Sequence, residues 1–288
     1  MIPVSVAQAI AQARGRGVDL LDAQLLLARL LSQRRSWLLA HGEALLHAAQ
    51  AGAFDALSRR RAAGEPLAYL LGEKEFHGLV LQVDARVLVP RPDTELLVDW
   101  ALEWLATRLA QACGSAPTVV DLGTGSGAIA LAIKHRQPQA CVTATDLSLD
   151  ALQLARHNAT RLALSVQFAQ GAWWDALPGQ RFDLVLSNPP YIAAADPHLA
   201  ALMHEPALAL AAGDDGLRDL RLIVAGASPH IESGGWLLLE HGFEQGEAVR
   251  ALLRRHGFAA VQTRRDLAGL ERCTGGQRCA ALGNAGQQ

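Results

Sequence analysis

Apolar residues recur at two periods along this chain, and the change of period divides it. Through about residue 72 the spacing is helical: residues 6–13, 22–31, 36–40 and 44–61 repeat alanine and leucine along one face. Asp22 stands as a cap ahead of Leu25, Leu26, Leu27, Leu30 and Leu31. Breakers from Gly64-Glu65-Pro66 through Gly72 then mark a boundary. Between Glu75 and Pro90 the pattern alternates. Phe76, Leu79, Leu81, Val83, Val87 and Val89 predict two short strands turning at Asp84-Ala85-Arg86, a hairpin that would bridge two domains. Pro90 and Pro92 hold the next residues extended, and Asp93 or Thr94 can cap a helix from Glu95 to about Ala110.

From Thr118 strands and helices alternate. Strands are expected over residues 118–122, 140–145, 165–169, 182–186, 235–240, 259–263 and 272–281, and helices over 128–135, 149–161, 219–230 and 245–256. Repeated strand–helix units build a parallel sheet covered on both faces. The last two strands have no helix between them and should pair antiparallel. The expected fold is therefore α/β, a Rossmann-like doubly wound sheet with its last strand antiparallel. A small all-helical domain precedes it. The corresponding domains are 1–72 (helical, assigned to substrate docking), 73–92 (linker and hairpin) and 93–288.

Composition narrows the class. The chain has 288 residues, half of them hydrophobic, enough for one large core and a smaller domain. A net charge of −2 supplies no basic field for nucleic acid. Arg59-Arg60-Arg61 is the one basic run, read as a solvated helix end rather than an RNA contact. Cys113, Cys141, Cys273 and Cys279 form no C-x-x-C pair, so neither a zinc knot nor a disulfide framework is indicated. The opening Met1-Ile2-Pro3-Val4-Ser5 does not resemble a signal peptide, and no run approaches the ~20 apolar residues of a membrane span. A cytoplasmic, monomeric protein with no metal is expected.

Two stretches carry candidate chemistry. The strand at 118–122 runs into Asp121-Leu122-Gly123-Thr124-Gly125-Ser126-Gly127, which opens a helix. Glycines there allow a tight turn and close approach of a ligand to the backbone. The pattern is G-x-G-x-G, without the lysine of a phosphate-binding P-loop. Asp146 ends the next strand about 20 residues on, where an acid can accept both hydroxyls of a ribose. The second stretch, Ser187-Asn188-Pro189-Pro190-Tyr191, follows a buried strand. Two prolines stop that strand and leave a stiff turn. Asn188 and the Pro189 carbonyl can each accept a hydrogen bond from a planar NH2, in an amide or on a base, while Tyr191 packs on its face. An ordinary Asn-Pro turn would look the same in isolation. Glycine loop, Asp146 and Asn188 together lie along one carboxyl edge of the sheet, where open α/β sheets bind ligands. Glu95 is a further candidate to face that pocket.

With these motifs the chain resembles a class I S-adenosylmethionine-dependent methyltransferase, specifically a protein-glutamine amide methyltransferase of the HemK/PrmC type. The resemblance covers nearly the whole chain. It includes Pro90-Arg91-Pro92-Asp93-Thr94-Glu95, the glycine loop, Asn188-Pro189-Pro190-Tyr191-Ile192 and Leu239-Glu240-His241-Gly242. It implies methylation of the glutamine in the Gly-Gly-Gln loop of class-one peptide chain release factors. Gly123, Thr124, Gly125, Ser126 and Gly127 would surround the methionine part of S-adenosylmethionine, Asp146 its ribose, and Trp173 the adenine. Trp173 could equally be a core residue partnered by Trp174. Asn188, Pro189, Pro190 and Tyr191 would form the catalytic turn. The family commonly carries an acid before the tryptophan, and here that residue is Ala172.

The Asn-Pro-Pro-Tyr motif is shared with adenine amino methyltransferases, which makes a nucleic-acid substrate the alternative, and a non-catalytic binding module a third. No catalytic histidine is expected among the ten, and His241 is assigned a strand-end hydrogen bond. The chain's own Gly275-Gly276-Gln277 matches the modified tripeptide and is expected to lie in a turn.

Overall fold

The computed structural model describes residues 3–111 and 115–279; Cys113 and residues 280–281 of the expected last strand lie outside them. The chain divides into two units, one ending at Lys74 and the other beginning at Glu75. In the first, the helical period becomes α1 (Val6–Gly15), α2 (Leu20–Leu31), α3 (Arg35–Ala40), α4 (Ala48–Ala62) and α5 (Leu67–Leu71). Their apolar faces meet around Leu26, Leu27, Leu38 and Phe54.

Local details of this unit differ from expectation. Asp19, not Asp22, caps α2, accepting from the Leu21 N–H at 2.8 Å. Asp22 instead pairs with Arg61 at 2.7 Å. Arg59 pairs with Asp55 and Arg60 with Glu65, so a carboxylate meets each arginine of the basic run. The expected helix over 44–61 starts late. Strand β1 (Val4–Ser5) pairs antiparallel with β2 (Leu45–Leu46), and pairing outside the helix claims those two leucines. The breaker stretch also holds α5, which ends at Gly72 with φ +76.

The remaining strands are β3 (Glu73–Phe76), which spans the division, and, in the second unit, β4 (Leu79–Gln82), β5 (Thr118–Leu122), β6 (Cys141–Asp146), β7 (Gln167–Gln170), β8 (Phe182–Ser187), β9 (Ile231–Glu240), β10 (Phe258–Arg265) and β11 (Glu271–Arg278). The helices are α6 (Glu95–Gln111), α7 (Ala128–Arg136), α8 (Leu149–Arg161), α9 (Arg218–Gly226) and α10 (Gly246–Arg255). The hairpin turns at His77-Gly78, not at Asp84-Ala85-Arg86. His77 (φ +49) and Gly78 (φ +81) are both left-handed, as a two-residue turn matching strand twist requires. Asp84 makes its own tight turn farther on, accepting from the Arg86 N–H at 3.0 Å.

One seven-stranded sheet runs β10-β11-β9-β8-β5-β6-β7. Strands β5 to β9 pair parallel, and β11 lies antiparallel between β9 and β10. Two apolar clusters flank the sheet, one centred on Leu97, Leu105, Leu131 and Leu184, the other on Leu220, Ile223, Val249 and Leu253. β5 sits between β6 and β8, so strand order reverses there and a crevice opens at their carboxyl ends. Gly275-Gly276-Gln277 is inside β11, not in a turn. A Cβ at Gly275 would lie 2.4 Å from Leu238 Cδ2, so close packing of the strand requires glycine. Among the described residues no helix is long and apolar enough to cross a membrane. No cluster of His, Cys, Asp or Glu among them is placed to hold a metal.

Candidate active site

The two candidate stretches lie at neighbouring strand ends, because β5 and β8 pair in register from Val119–Leu184 to Leu122–Ser187. Beyond β5, Gly123, Gly125 and Gly127 have φ of +73, +55 and +86. The Gly123 and Thr124 N–H groups donate to the Thr145 carbonyl at 2.9 and 2.8 Å, which ties the loop to β6. Gly127 has no room for a side chain: a Cβ would stand 3.0 Å from Leu131 Cδ1 and 3.3 Å from the Ala155 Cβ. Asn158, fully buried, donates to the Ser126 carbonyl at 2.9 Å and so fixes the far end of the loop.

A cavity of about 430 Å³ opens against this loop. Thr124, Ser126, Asp146, Trp173, Asn188 and Pro190 are among its lining residues. Asp146 receives the Gly125 N–H and the Ser148 N–H, both at 2.9 Å. Burial raises its pKa against those bonds. Asp121, wholly buried below the loop, accepts from the Thr124 hydroxyl at 2.6 Å, and burial pushes its carboxyl up to about 7.

Trp173 and Trp174 part company. Trp173 has φ +47, a left-handed conformation that costs a bulky residue ~1–2 kcal/mol. It turns the indole against Gly123, where an added Cβ would meet Trp173 Cζ3 at 3.3 Å. Trp174 points away, donating to the Ile223 carbonyl at 2.9 Å and stacking on His230. Ala172 also lines the cavity.

A second cavity of about 240 Å³ borders the Asn-Pro-Pro-Tyr turn. Pro189, Tyr191, Ile192, Leu202 and Leu210 help to line it, and Asn188 lines both cavities. The wall comes from the chain after Ile192, a stretch with no expected element. It makes two 3-10 turns, Pro197–Leu202 and Ala207–Ala209, and returns alongside itself through Ile192 N–H to Leu210 O at 3.0 Å. Glu205 pins this excursion from within: its buried carboxylate accepts the Val89 N–H at 3.0 Å and pairs with Arg91.

Residues behind the turn hold it. The Asn188 Nδ2 donates to Thr94 Oγ1 at 3.1 Å. The Tyr191 hydroxyl donates to Glu240 Oε1 at 3.3 Å. Glu240 is 1% exposed, and burial pushes its carboxyl up to about 7, against the pull of the Thr94 and Tyr191 hydroxyls and of Arg272. Burial, with the Glu240 charge beside it, raises the Tyr191 pKa well above its usual range. His241 Nε2 pairs with Thr274 Oγ1 at 2.7 Å, and burial lowers its pKa.

Two expectations fail here. Asp93 does not cap α6; its carboxylate pairs with Arg272 at 3.2 Å, and no side chain caps the 3-10 turn Pro92–Thr94 that leads into the helix. Glu95 accepts the His77 N–H at 3.1 Å and is absent from the cavity lining. Thr94, Glu205 and Gln245, whose Nε2 donates to the Tyr191 carbonyl at 3.0 Å, belong to the site although no motif marks them as site residues. A lone carboxylate in the apolar run Leu199 to Ala212 was the available signal for Glu205; Gln245 left none.

Two known protein families match parts of this chain. Residues 95–213 match the methyltransferase small domain, and residues 5–72 match the PrmC N-terminal domain. A release factor glutamine methyltransferase of Bordetella pertussis is 50% identical over 263 residues, 90% of this chain and 95% of that protein. One from Burkholderia pseudomallei is 46% identical over 282 residues, 95% and 97% of the two chains. Among solved structures, a 16S rRNA methyltransferase of T. thermophilus in complex with AdoMet and guanosine has a TM-score of 0.52. It is 20% identical, covers 72% of this chain and 49% of its own, and shares the fold.

Proposed function

The chain belongs to the family of release factor glutamine methyltransferases, and we propose that it transfers a methyl group from S-adenosylmethionine to the side-chain amide nitrogen of the glutamine in the Gly-Gly-Gln loop of class-one peptide chain release factors. The observation that carries this reading is the place of Asn188, on a proline-stiffened turn where it lines both cavities with its amide nitrogen engaged by Thr94.

The larger cavity suits S-adenosylmethionine. At Gly125 a Cβ would meet nothing within 4 Å, so the loop backbone there faces open space, and about 430 Å³ falls in the range of small-molecule sites. Gly123 to Gly127 would hold the amino-acid part, Asp146 the ribose and Trp173 the adenine. With Ala172 in place of an acid, packing on Trp173 and backbone groups would recognise the base. When bound, this cofactor supplies an electrophilic methyl on a sulfonium.

The protein's part is to present the acceptor nitrogen. An amide nitrogen is a weak nucleophile because its lone pair is delocalised into the carbonyl. Asn188 Oδ1 and the Pro189 carbonyl accept hydrogen bonds from the acceptor NH2, orienting it and favouring positive charge as it forms. Pro190 has no N–H to compete for either oxygen. Orientation of this kind lowers barriers by up to about 7–11 kcal/mol in ideal cases, and each placed polar group by about 3–4 kcal/mol. Tyr191 and Pro189 exclude water from the acceptor side. No base is needed before transfer, since the product amide sheds its extra proton afterwards.

The helical unit, residues 1–72 in this reading, would dock the release factor, with residues 73–92 as linker and 93–288 as the catalytic domain. On this reading the protein would act in the cytoplasm, as a monomer and without direct nucleic-acid contact. The test is transfer of labelled methyl to a purified class-one release factor, to its Gln→Ala variant in the Gly-Gly-Gln loop, and to duplex DNA. Label on the unaltered factor alone supports the assignment. Label on DNA, or equally on both proteins, overturns it.

A further inference from the structure

Between Ile192 and Gly213 the chain leaves the sheet, and the second cavity takes its shape from where it goes. Leu202, Ala209 and Leu210 line that cavity from this excursion, and Leu88 and Arg91 line it from the stretch before α6. Backbone bonds close the base of the excursion on itself. The Ala194 N–H donates to the Gly213 carbonyl at 2.8 Å and the Ala212 N–H to the Ile192 carbonyl at 2.9 Å. A segment of this length with little regular structure needs ties of another kind to keep one position. Glu205 supplies such a tie. Its Oε2 accepts the Val89 N–H at 3.0 Å, across 116 positions, and its Oε1 pairs with Arg91. Two walls of one cavity are thereby joined through a single carboxylate.

Exposure around that carboxylate is inverted. The Glu205 side chain is 2% exposed, while Met203 and Leu208 on either side are each 75% exposed. A segment folded for stability would bury its apolar residues and leave the acid in water, because the cost of desolvating an ion pair can exceed its attraction. Here burial goes to the charge. What the buried pair supplies instead is position, since two oxygens meeting two donors hold the segment in one place.

We propose that Glu205 is a positioning residue for methyl transfer, holding the wall of the second cavity where that cavity admits the acceptor glutamine to Asn188. The step from wall to turnover rests on the methyl-transfer reading above; the tie itself does not. Glu205 lines neither cavity, and its effect reaches the acceptor through Leu202 and Leu210.

Two measurements separate the wall from the activity. Glu205→Gln keeps the shape but offers one acceptor oxygen and an NH2, which cannot satisfy both the Val89 N–H and the Arg91 guanidinium. Backbone amides of residues 193–212 should exchange with solvent about ten-fold faster or more in this variant, while β5 to β8 exchange as in the wild type. In methylation of a release factor, kcat/KM for the factor should fall about ten- to a hundred-fold. Cofactor affinity by calorimetry should stay within about three-fold, since the glycine loop and Asp146 are untouched. The double variant Arg91→Met/Glu205→Leu replaces the pair by apolar side chains, an exchange that is often neutral for stability. It should regain the wild-type melting temperature and keep the low kcat/KM.

Unchanged exchange over 193–212 in Glu205→Gln overturns the inference whatever the activity. Recovery of kcat/KM together with stability in the double variant also overturns it, since the carboxylate would then serve the fold alone. If the wild type methylates no release factor while exchange rises over 193–212 only, the substrate reading fails and the tie stands.

Discussion

Gln245 Nε2 donates to the Tyr191 carbonyl at 3.0 Å, joining the turn that follows β8 to the start of α10. The same amide donates to the Gly216 carbonyl at 3.3 Å and accepts the Gly242 N–H at 2.9 Å. One side chain thus satisfies three backbone groups from three segments. Gln245→Ala should destabilise the fold by about 1–3 kcal/mol, because partly buried groups lose their partner. Denaturant unfolding would measure this. The release-factor KM should rise more than the cofactor Kd. Gln245→Glu should not rescue, since a carboxylate cannot donate to two carbonyls.

Replacing Asn188 by Ala separates binding from chemistry. Turnover should fall by about a hundred- to a thousand-fold, the loss typical of one preorganised polar group. Cofactor affinity measured by calorimetry should change little. Equal losses in both would count against the role assigned to Asn188.

The glycine loop makes a graded prediction. Gly127→Ala would put a Cβ 3.0 Å from Leu131 Cδ1 at a φ of +86, combining strain with overlap. Gly125→Ala would meet nothing within 4 Å at a φ of +55, leaving strain alone. Each strained residue costs about 1–3 kcal/mol. Thermal unfolding should show the larger loss at Gly127, and cofactor affinity should weaken in both variants. A larger loss of stability at Gly125 would contradict the packing described here.

Buried carboxylates set a pH dependence of stability. Burial pushes Asp121 and Glu240 up to about 7, whereas unfolded carboxyls titrate near ~4. Between roughly pH 4 and 7 the folded protein keeps protons that the unfolded chain has released. Their contribution to stability is therefore full below that window, falls as pH rises through it, and is level above it. His241, with its pKa lowered by burial, acts oppositely at the acid end. Comparing variants isolates the carboxylates. The difference in unfolding free energy between pH 5 and pH 7.5 should shift in Glu240→Gln toward greater relative stability at the higher pH. An unchanged difference would mean that Glu240 titrates normally.

Much of this architecture is written in local chemistry. Alternating apolar strands and amphipathic helices fix the strand–helix order, because burial demands a 2-residue period in one and a 3.6-residue period in the other. The glycine loop and the Asn188 turn are legible for the same reason, as φ and hydrogen-bond constraints act within a few residues. Sequence and structure part where two local solutions compete. Asp19 and Asp22 both suit an N-terminus, and each found a different partner. His77-Gly78 lost to a more polar triplet as the expected turn, although only that pair takes two left-handed residues in succession there.

From the sequence alone came the order of the elements, the class of fold, the glycine loop, and an amide on a proline-stiffened turn. Tertiary structure alone decided which residues stand behind that amide. Thr94 meets Asn188 across 94 positions, and Tyr191 meets Glu240 across 49. Such pairs leave no periodic trace, because a single long-range hydrogen bond constrains neither residue's neighbours. They exist only where the sheet brings the carboxyl ends of β8 and β9 together and packs the start of α6 beside them.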